Sequence, residues 1–195
     1  MSLHPVLQGA ADGRLPSWAE ASSRRREHVT RVAELLDDWA RTAGLDGQER
    51  TRWRAAGVLH DALRDADPGE LRGRVPPMLR DLPPFVLHGP AAAAQLWGEG
   101  VRDAAVLNAV AWHTLGHPDL DGMGRAVYAA DFLEPGRDLR NEWRATLRER
   151  FSTAADDVVR EILGARIRHL LDGGRPVRRE TVAFWNSMAQ EEERR

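Results

Sequence analysis

The chain contains no cysteine and no lysine. The first absence removes disulfides, thiolate nucleophiles and every zinc or iron–sulfur centre built on sulfur ligands. The second removes Schiff-base chemistry and the lysine of a phosphate-binding loop. All 28 basic residues are therefore Arg, set against 30 acidic ones, for a formal net charge of -2. That balance lacks the bulk basic footprint of a nucleic-acid binder, so no nucleic-acid partner is expected. Long apolar runs are missing too: none approaches the ~20 residues of a membrane span. Residues 1–10 carry no basic segment leading into an apolar one, so no secretory signal is read there. A cytoplasmic protein with no membrane association is expected. Its chemistry must come from His, Asp, Glu, Arg and hydroxyls.

What is present is helical periodicity over most of the 195 residues, with no convincing alternating strand. After Ser22 and Ser23, apolar residues recur at Val29, Val32, Ala33, Leu36, Ala40 and Ala43, and Gly44 closes the stripe. Asp46 with Glu49 forms an Asp variant of the capping box, opening a helix through Trp53, Val58 and Leu63. Residues 65–87, rich in proline, read as a long loop with one helical turn near Met78–Leu82. Further helices are expected from Pro90 to Trp97, Arg102 to His113, Gly124 to Leu133, Leu139 to Arg150, Thr153 to Leu171 and Glu180 to Gln190. Glu191–Arg195 reads as a frayed, solvated charge run. The expectation is an all-α single domain of 195 residues, with a core at about 22–137 and C-terminal helices at about 138–190.

Seven histidines occur, at 4, 28, 60, 88, 113, 117 and 169. His28 lies on the same helical row as Val32, Leu35 and Trp39, and so points along the buried stripe. His60 and Asp61 are adjacent at the end of an apolar helix, His113 ends another, and Asp131 sits inside Val127–Leu133, where an isolated charge is costly. Each has an ordinary explanation when taken singly: a hydrogen-bonded core histidine, a carboxylate serving an arginine, a histidine at a helix terminus. Four such explanations coinciding with a His-Asp pair is the less economical reading. Imidazole and carboxylate are the ligands for first-row metals when thiolate is unavailable. His4 and His169 read as structural or surface residues, and His117 as a residue that could line a pocket mouth.

In this order, His28, His60-Asp61 and Asp131 resemble the signature of HD-domain metal phosphohydrolases. The segments Arg25–Val32, Leu59–Arg64, Leu87-His88-Gly89-Pro90, His113-Thr114-Leu115-Gly116 and Ala130–Arg137 look like successive motifs of the YqeK-type family, the symmetrical bis(5'-nucleosyl)-tetraphosphatases. Gly174–Asn186 resembles that family's C-terminal helix. Arg64 stands where the family commonly has Lys, and Thr114-Leu115 where it has two threonines. The resemblance implies an HD-domain helical bundle holding two metal ions, usually iron, with manganese or cobalt sharing the same ligands. His28, His60, Asp61 and Asp131 would hold the first, with Asp61 bridging to a second completed by His88 and His113.

It also implies a nucleotide substrate, a dinucleoside polyphosphate, with diadenosine tetraphosphate cut symmetrically to two ADP. Asp61, Arg64 and Thr114 make up the catalytic set. Arg64, Arg137, the Thr114 hydroxyl and the Gly116 amide are the candidates for phosphate contacts. Phe85, in the Pro-rich loop, is the candidate for stacking on a base, with Trp112 the second choice. Two alternatives stay open: an HD-domain phosphohydrolase of a nucleoside mono- or triphosphate or a cyclic dinucleotide, and a non-catalytic metal- and nucleotide-binding helical module. The Gly-Tyr-Pro motif usual in cyclic-dinucleotide enzymes is absent. Seven Trp residues leave room for a homodimer patch, though no segment identifies one.

Overall fold

A computed structural model of the chain describes residues 3–136 and 141–193. Among these there are ten α-helices and no strand: α1 (Pro5–Ala11), α2 (Ser23–Thr42), α3 (Gly47–Leu59), α4 (Pro68–Arg74), α5 (His88–Gly98), α6 (Ala104–Trp112), α7 (Gly122–Leu133), α8 (Asn141–Phe151), α9 (Ala155–Asp172) and α10 (Arg179–Glu193). No described helix is long and apolar enough to cross a membrane. The helix starts follow from side chains that satisfy the free N–H groups of a first turn. Ser22 Oγ accepts from the Arg25 amide, Asp46 from Glu49, Asp103 from Val106 and Asp121 from Gly124.

One apolar cluster runs from Leu7 to Met188, and α7 is its axis, with Val127, Ala129, Ala130 and Leu133 fully enclosed. Helices α2 and α3 cross at very close range because Gly57 has no side chain. A Cβ there would lie 2.9 Å from the Ala33 Cα and 2.8 Å from the Leu36 side chain. Arg52 pairs with both oxygens of Asp103, at 2.6 and 2.7 Å, and so ties α3 to the start of α6. Trp39 stacks on Phe151 with ring centres 3.8 Å apart, which seats α8 against α2.

Three expectations change. The Pro-rich stretch is not one loop: Asp67 and Pro68 start α4, and short 3₁₀ turns follow at Pro77–Leu79 and Pro84–Val86. Proline sits in the first turn of all three, where its missing N–H costs nothing, so it starts helices here rather than excluding them. Helix α1, capped by His4, has too short a pattern for periodicity to reveal. Helix α10 runs on to Glu193, because Glu191 grips Arg125 through two 2.8 Å bonds and Glu192 meets Arg160 at 2.7 Å. Those acids bind partners rather than fray.

Candidate metal centre

Helix α3 stops at Leu59, short of the expected Leu63, and tightens into i→i+3 turns, with Ala62 N bonded to Leu59 O and Arg64 N to Asp61 O. On a regular helix, neighbours point about 100° apart. Here the adjacent His60 and Asp61 both join one ligand cluster. Asp61, only 3% exposed, is its centre. Its Oδ2 lies 3.6 Å from His28 Nε2 and 3.5 Å from His60 Nε2. Its Oδ1 lies 3.1 Å from His88 Nε2 and 3.4 Å from His113 Nε2. Asp131 joins the first pair, with Oδ1 3.2 Å from His28 Nε2. Two groups of metal-ligating type result: His28, His60, Asp61 and Asp131, and then Asp61, His88 and His113. The structure thus brings together all six expected ligands from α2, α5, α7 and the ends of α3 and α6.

The donor set fits a cation. His60 Nδ1 lies 2.7 Å from the Gly57 carbonyl, His113 Nδ1 2.9 Å from that of Val110, and His28 Nδ1 3.2 Å from Glu134 Oε1. A nitrogen facing such an acceptor must carry the ring proton, which leaves Nε2 as a lone pair. The lone pairs of His28, His60 and His113 converge on carboxylate oxygens, with His28 and His60 Nε2 3.3 Å apart, and His88, whose buried Nδ1 has no acceptor among the described residues, brings its Nε2 to 3.0 Å from that of His113. Acceptors crowded this closely repel unless positive charge lies among them. The acid–base behaviour of His60 and His88 agrees. Burial pushes His60 down to about 4 and also lowers His88, so both are neutral at pH 7, the form in which imidazole can hold a metal. Burial also opposes ionisation of Asp61, yet the surrounding imidazoles of His60, His113 and His88 hold it well below the usual carboxylate range. His28 moves up despite burial, because Asp131 and Glu134 attract a proton to it.

Three functional neighbours escaped the sequence reading. Glu134 accepts from His28, from Arg31 Nε at 2.6 Å and from the Gly136 amide at 2.7 Å. Arg25 Nη1 sits 2.5 Å from Asp61 Oδ2. A signal existed: Arg25, His28 and Arg31 recur every three residues along one face of α2.

Of the other expected site residues, Thr114 Oγ1 lies 3.0 Å from His113 Nε2 and 3.5 Å from His88 Nε2. Arg64 lies close enough to His88 for its charge to depress that histidine's basicity. The Gly116 amide is already bonded to the Trp112 carbonyl at 2.8 Å. Its φ of +74° and the Phe184 ring, which any Cβ would strike, explain the glycine. Phe85 is 57% exposed on the turn before α5. Trp112 is half-buried and stacks on His117, with ring centres 4.7 Å apart. Arg137 lies outside the described residues. The C-terminal helices brace the ligand-bearing turn: Arg166 donates to the Thr114 carbonyl at 2.7 Å, and Thr181 to that of Leu115 at 2.9 Å.

Glu134→Gln tests the buttress. Glu134 is buried, and its pKa is lowered to about 2 by hydrogen bonds from His28, Arg31 and Gly136 that outweigh burial. A depressed acid stabilises the fold fully above its unfolded value of 4.5, and that contribution drains away as pH falls from about 4.5 to 2. Glutamine removes it, so the acid-unfolding midpoint of metal-free protein shifts to higher pH. Metal affinity falls by about 10–100-fold, because the His28 ring loses its orienting acceptor. Dialysis against a graded metal buffer measures the second effect; unchanged affinity would remove Glu134 from the centre.

Comparison with known proteins agrees with this geometry. The family model for the HD domain matches residues 25–160. A Halalkalibacterium halodurans protein named bis(5'-nucleosyl)-tetraphosphatase, symmetrical, is 27% identical over 177 residues, covering 88% of this chain and 92% of that protein. A Staphylococcus aureus protein of the same name is 32% identical over 122 residues, 60% of this chain and 61% of that one. In fold, the chain is similar to a Clostridium acetobutylicum crystal structure described as a predicted HD superfamily hydrolase involved in NAD metabolism. The TM-score is 0.79 at 20% identity, with 97% of this chain and all of that one covered. With its signature residues gathered around Asp61 and the family match spanning most of its length, this chain belongs to the HD-domain family.

Proposed function

We propose that the chain is a metal-dependent phosphohydrolase that cuts dinucleoside tetraphosphates, diadenosine tetraphosphate among them, at the central anhydride to give two nucleoside diphosphates. One observation carries this: a single carboxylate, Asp61, turns each of its oxygens to a separate set of imidazoles, the arrangement a pair of ions requires. The names of the relatives supply the substrate class. His28, His60, Asp61 and Asp131 would hold one ion and Asp61, His88 and His113 the other, with iron the proposed metal and manganese or cobalt able to use the same ligands. When bound, such ions offset the charge that protects a polyphosphate and make a nucleophile of water near neutral pH.

The chain's own groups do the rest. The neutral imidazoles and two carboxylates leave net positive charge for phosphate oxygens. The Thr114 hydroxyl faces the same point as His88 and His113 Nε2 and donates to an oxygen held there. Arg64 stabilises charge on the departing diphosphate. Water adds to a central phosphorus and releases a proton to solvent, the bond from that phosphorus to the bridging oxygen breaks, and the leaving nucleoside diphosphate takes the bridging oxygen and both electrons. The test is chromatography of products from metal-loaded protein and diadenosine tetraphosphate. ADP alone is expected. ATP with AMP would overturn the register, and no turnover by protein carrying its ions would overturn the substrate.

A further inference from the structure

Four described arginines meet the cluster or its immediate supports, and two are committed elsewhere. Arg31 is held by Glu134, and Arg166 by the Thr114 carbonyl and the face of Tyr128. Arg64 has no ion-pair partner among the described residues and follows Asp61 on the tight turn after α3, its amide bonded to the Asp61 carbonyl at 3.0 Å. Arg25 is the fourth. Its side chain is 24% exposed, and it holds Asp61 Oδ2 through Nη1 at 2.5 Å. Its Nε is buried without a hydrogen-bond partner, 4.0 Å from Asp65 Oδ1. Asp65 spends its other oxygen on the Ser22 amide, at 2.8 Å.

The Asp61 oxygen that Arg25 holds is the one facing His28 and His60, where a divalent ion would lie. A guanidinium beside a dication is repelled, and it offers five donors in a fork that suits phosphate oxygens. Arg25 therefore stands at the first ligand group, and Arg64 follows the shared carboxylate by one tight turn. A chain broken at its midpoint needs a comparable grip on each half. We propose that Arg25 gives up Asp61 when metal binds and takes phosphate oxygens on one half of the substrate while Arg64 takes the other, so that the pair sets which anhydride is cut. This rests on the hydrolase reading above.

The test compares Arg25→Met with the unaltered protein in two measurements that need no turnover. In equilibrium dialysis, manganese loading of the variant is expected to be no weaker. In calorimetry on manganese-loaded protein, inorganic tripolyphosphate affinity is expected to fall at least tenfold. With diadenosine tetraphosphate, the variant should release ATP and AMP beside ADP. Manganese loading weakened tenfold or more would make Arg25 an orienting partner of Asp61 and overturn the proposal, as would unchanged tripolyphosphate binding. ADP as sole product would overturn the register role. Should Met disturb the fold, Arg25→Gln, which keeps polar reach without charge, gives the same comparison. If the unaltered protein ignores dinucleoside tetraphosphates, the substrate reading fails while the tripolyphosphate arm still judges Arg25.

Discussion

Asp61→Asn is expected to cost the protein its metal and its turnover together. The substitution keeps the shape of the side chain but replaces one oxygen by an amide nitrogen that carries only donors. Whichever way the amide turns, one ligand group loses its shared oxygen and faces N–H groups instead. Either His28 and His60 or His88 and His113 are then left without the anion that joins them. The remaining carbonyl oxygen is neutral and a weaker ligand. Loss of several kcal/mol of metal-derived stabilisation corresponds to a fall of about 10³-fold or more in rate. Metal analysis after dialysis, followed by an assay on the same sample, checks both losses. Retention of metal content and turnover at the level of the unaltered protein would show that Asp61 does not join the two groups.

Gly89→Ala is expected to act through packing and yet reach the same centre. Gly89 follows His88 in the first turn of α5, against the end of α6. A Cβ there would lie 2.8 Å from the Val110 carbonyl oxygen, 2.9 Å from that of Ala111 and 3.2 Å from the His113 ring. Two of these neighbours are backbone, so neither can swing aside, and α5 must back away from α6. Overpacking of this kind costs about 1–3 kcal/mol. The Val110 carbonyl is also the acceptor that fixes the His113 ring, so the shift strikes the ligand and its orienting bond together. The expected result is a lowered melting temperature with selective loss of metal from the His88–His113 group, while the group on His28, His60 and Asp131 retains its ion. Gly98→Ala, at the far end of the same helix with nothing within 4 Å, serves as the control and should change stability by less than about 0.5 kcal/mol. Equal behaviour of the two variants would refute the close-packing account.

How far the residue order alone reaches is seen in the same places. The apolar rows of α2 and α7 and the caps at Ser22 and Asp46 were readable because each depends on neighbours within one or two turns. A charged Asp131 in an apolar helix and a His-Asp pair behind another also stood out, whereas the full set of six metal-type residues, His88 and His113 included, came from the resemblance of the motifs. Glu134 did not stand out. It lies 106 positions from His28 and just beyond the end of α7, where no periodic pattern assigns it a face. Arg25 stood in plain view one turn before His28, but its bond to Asp61 spans 36 positions and depends on how α2 meets the tight turn after α3. Helix α4 was missed because proline was read as a breaker, whereas Asp67 and Pro68 make a helix start.

The amino-acid order by itself determined the chemistry on offer, with imidazole, carboxylate and guanidinium and neither thiol nor amine, and the helices that carry it. Tertiary structure alone decided that Asp61 faces two ligand groups at once, that Glu134 and Arg31 steady His28, and that the Gly116 amide has already been spent on Trp112. The reason is one of range. Caps and apolar stripes are set by contacts a few residues apart. Separations of about 3 Å between groups dozens of positions apart are set by how closely helices can approach, here where Gly57 and Gly89 leave room for another backbone.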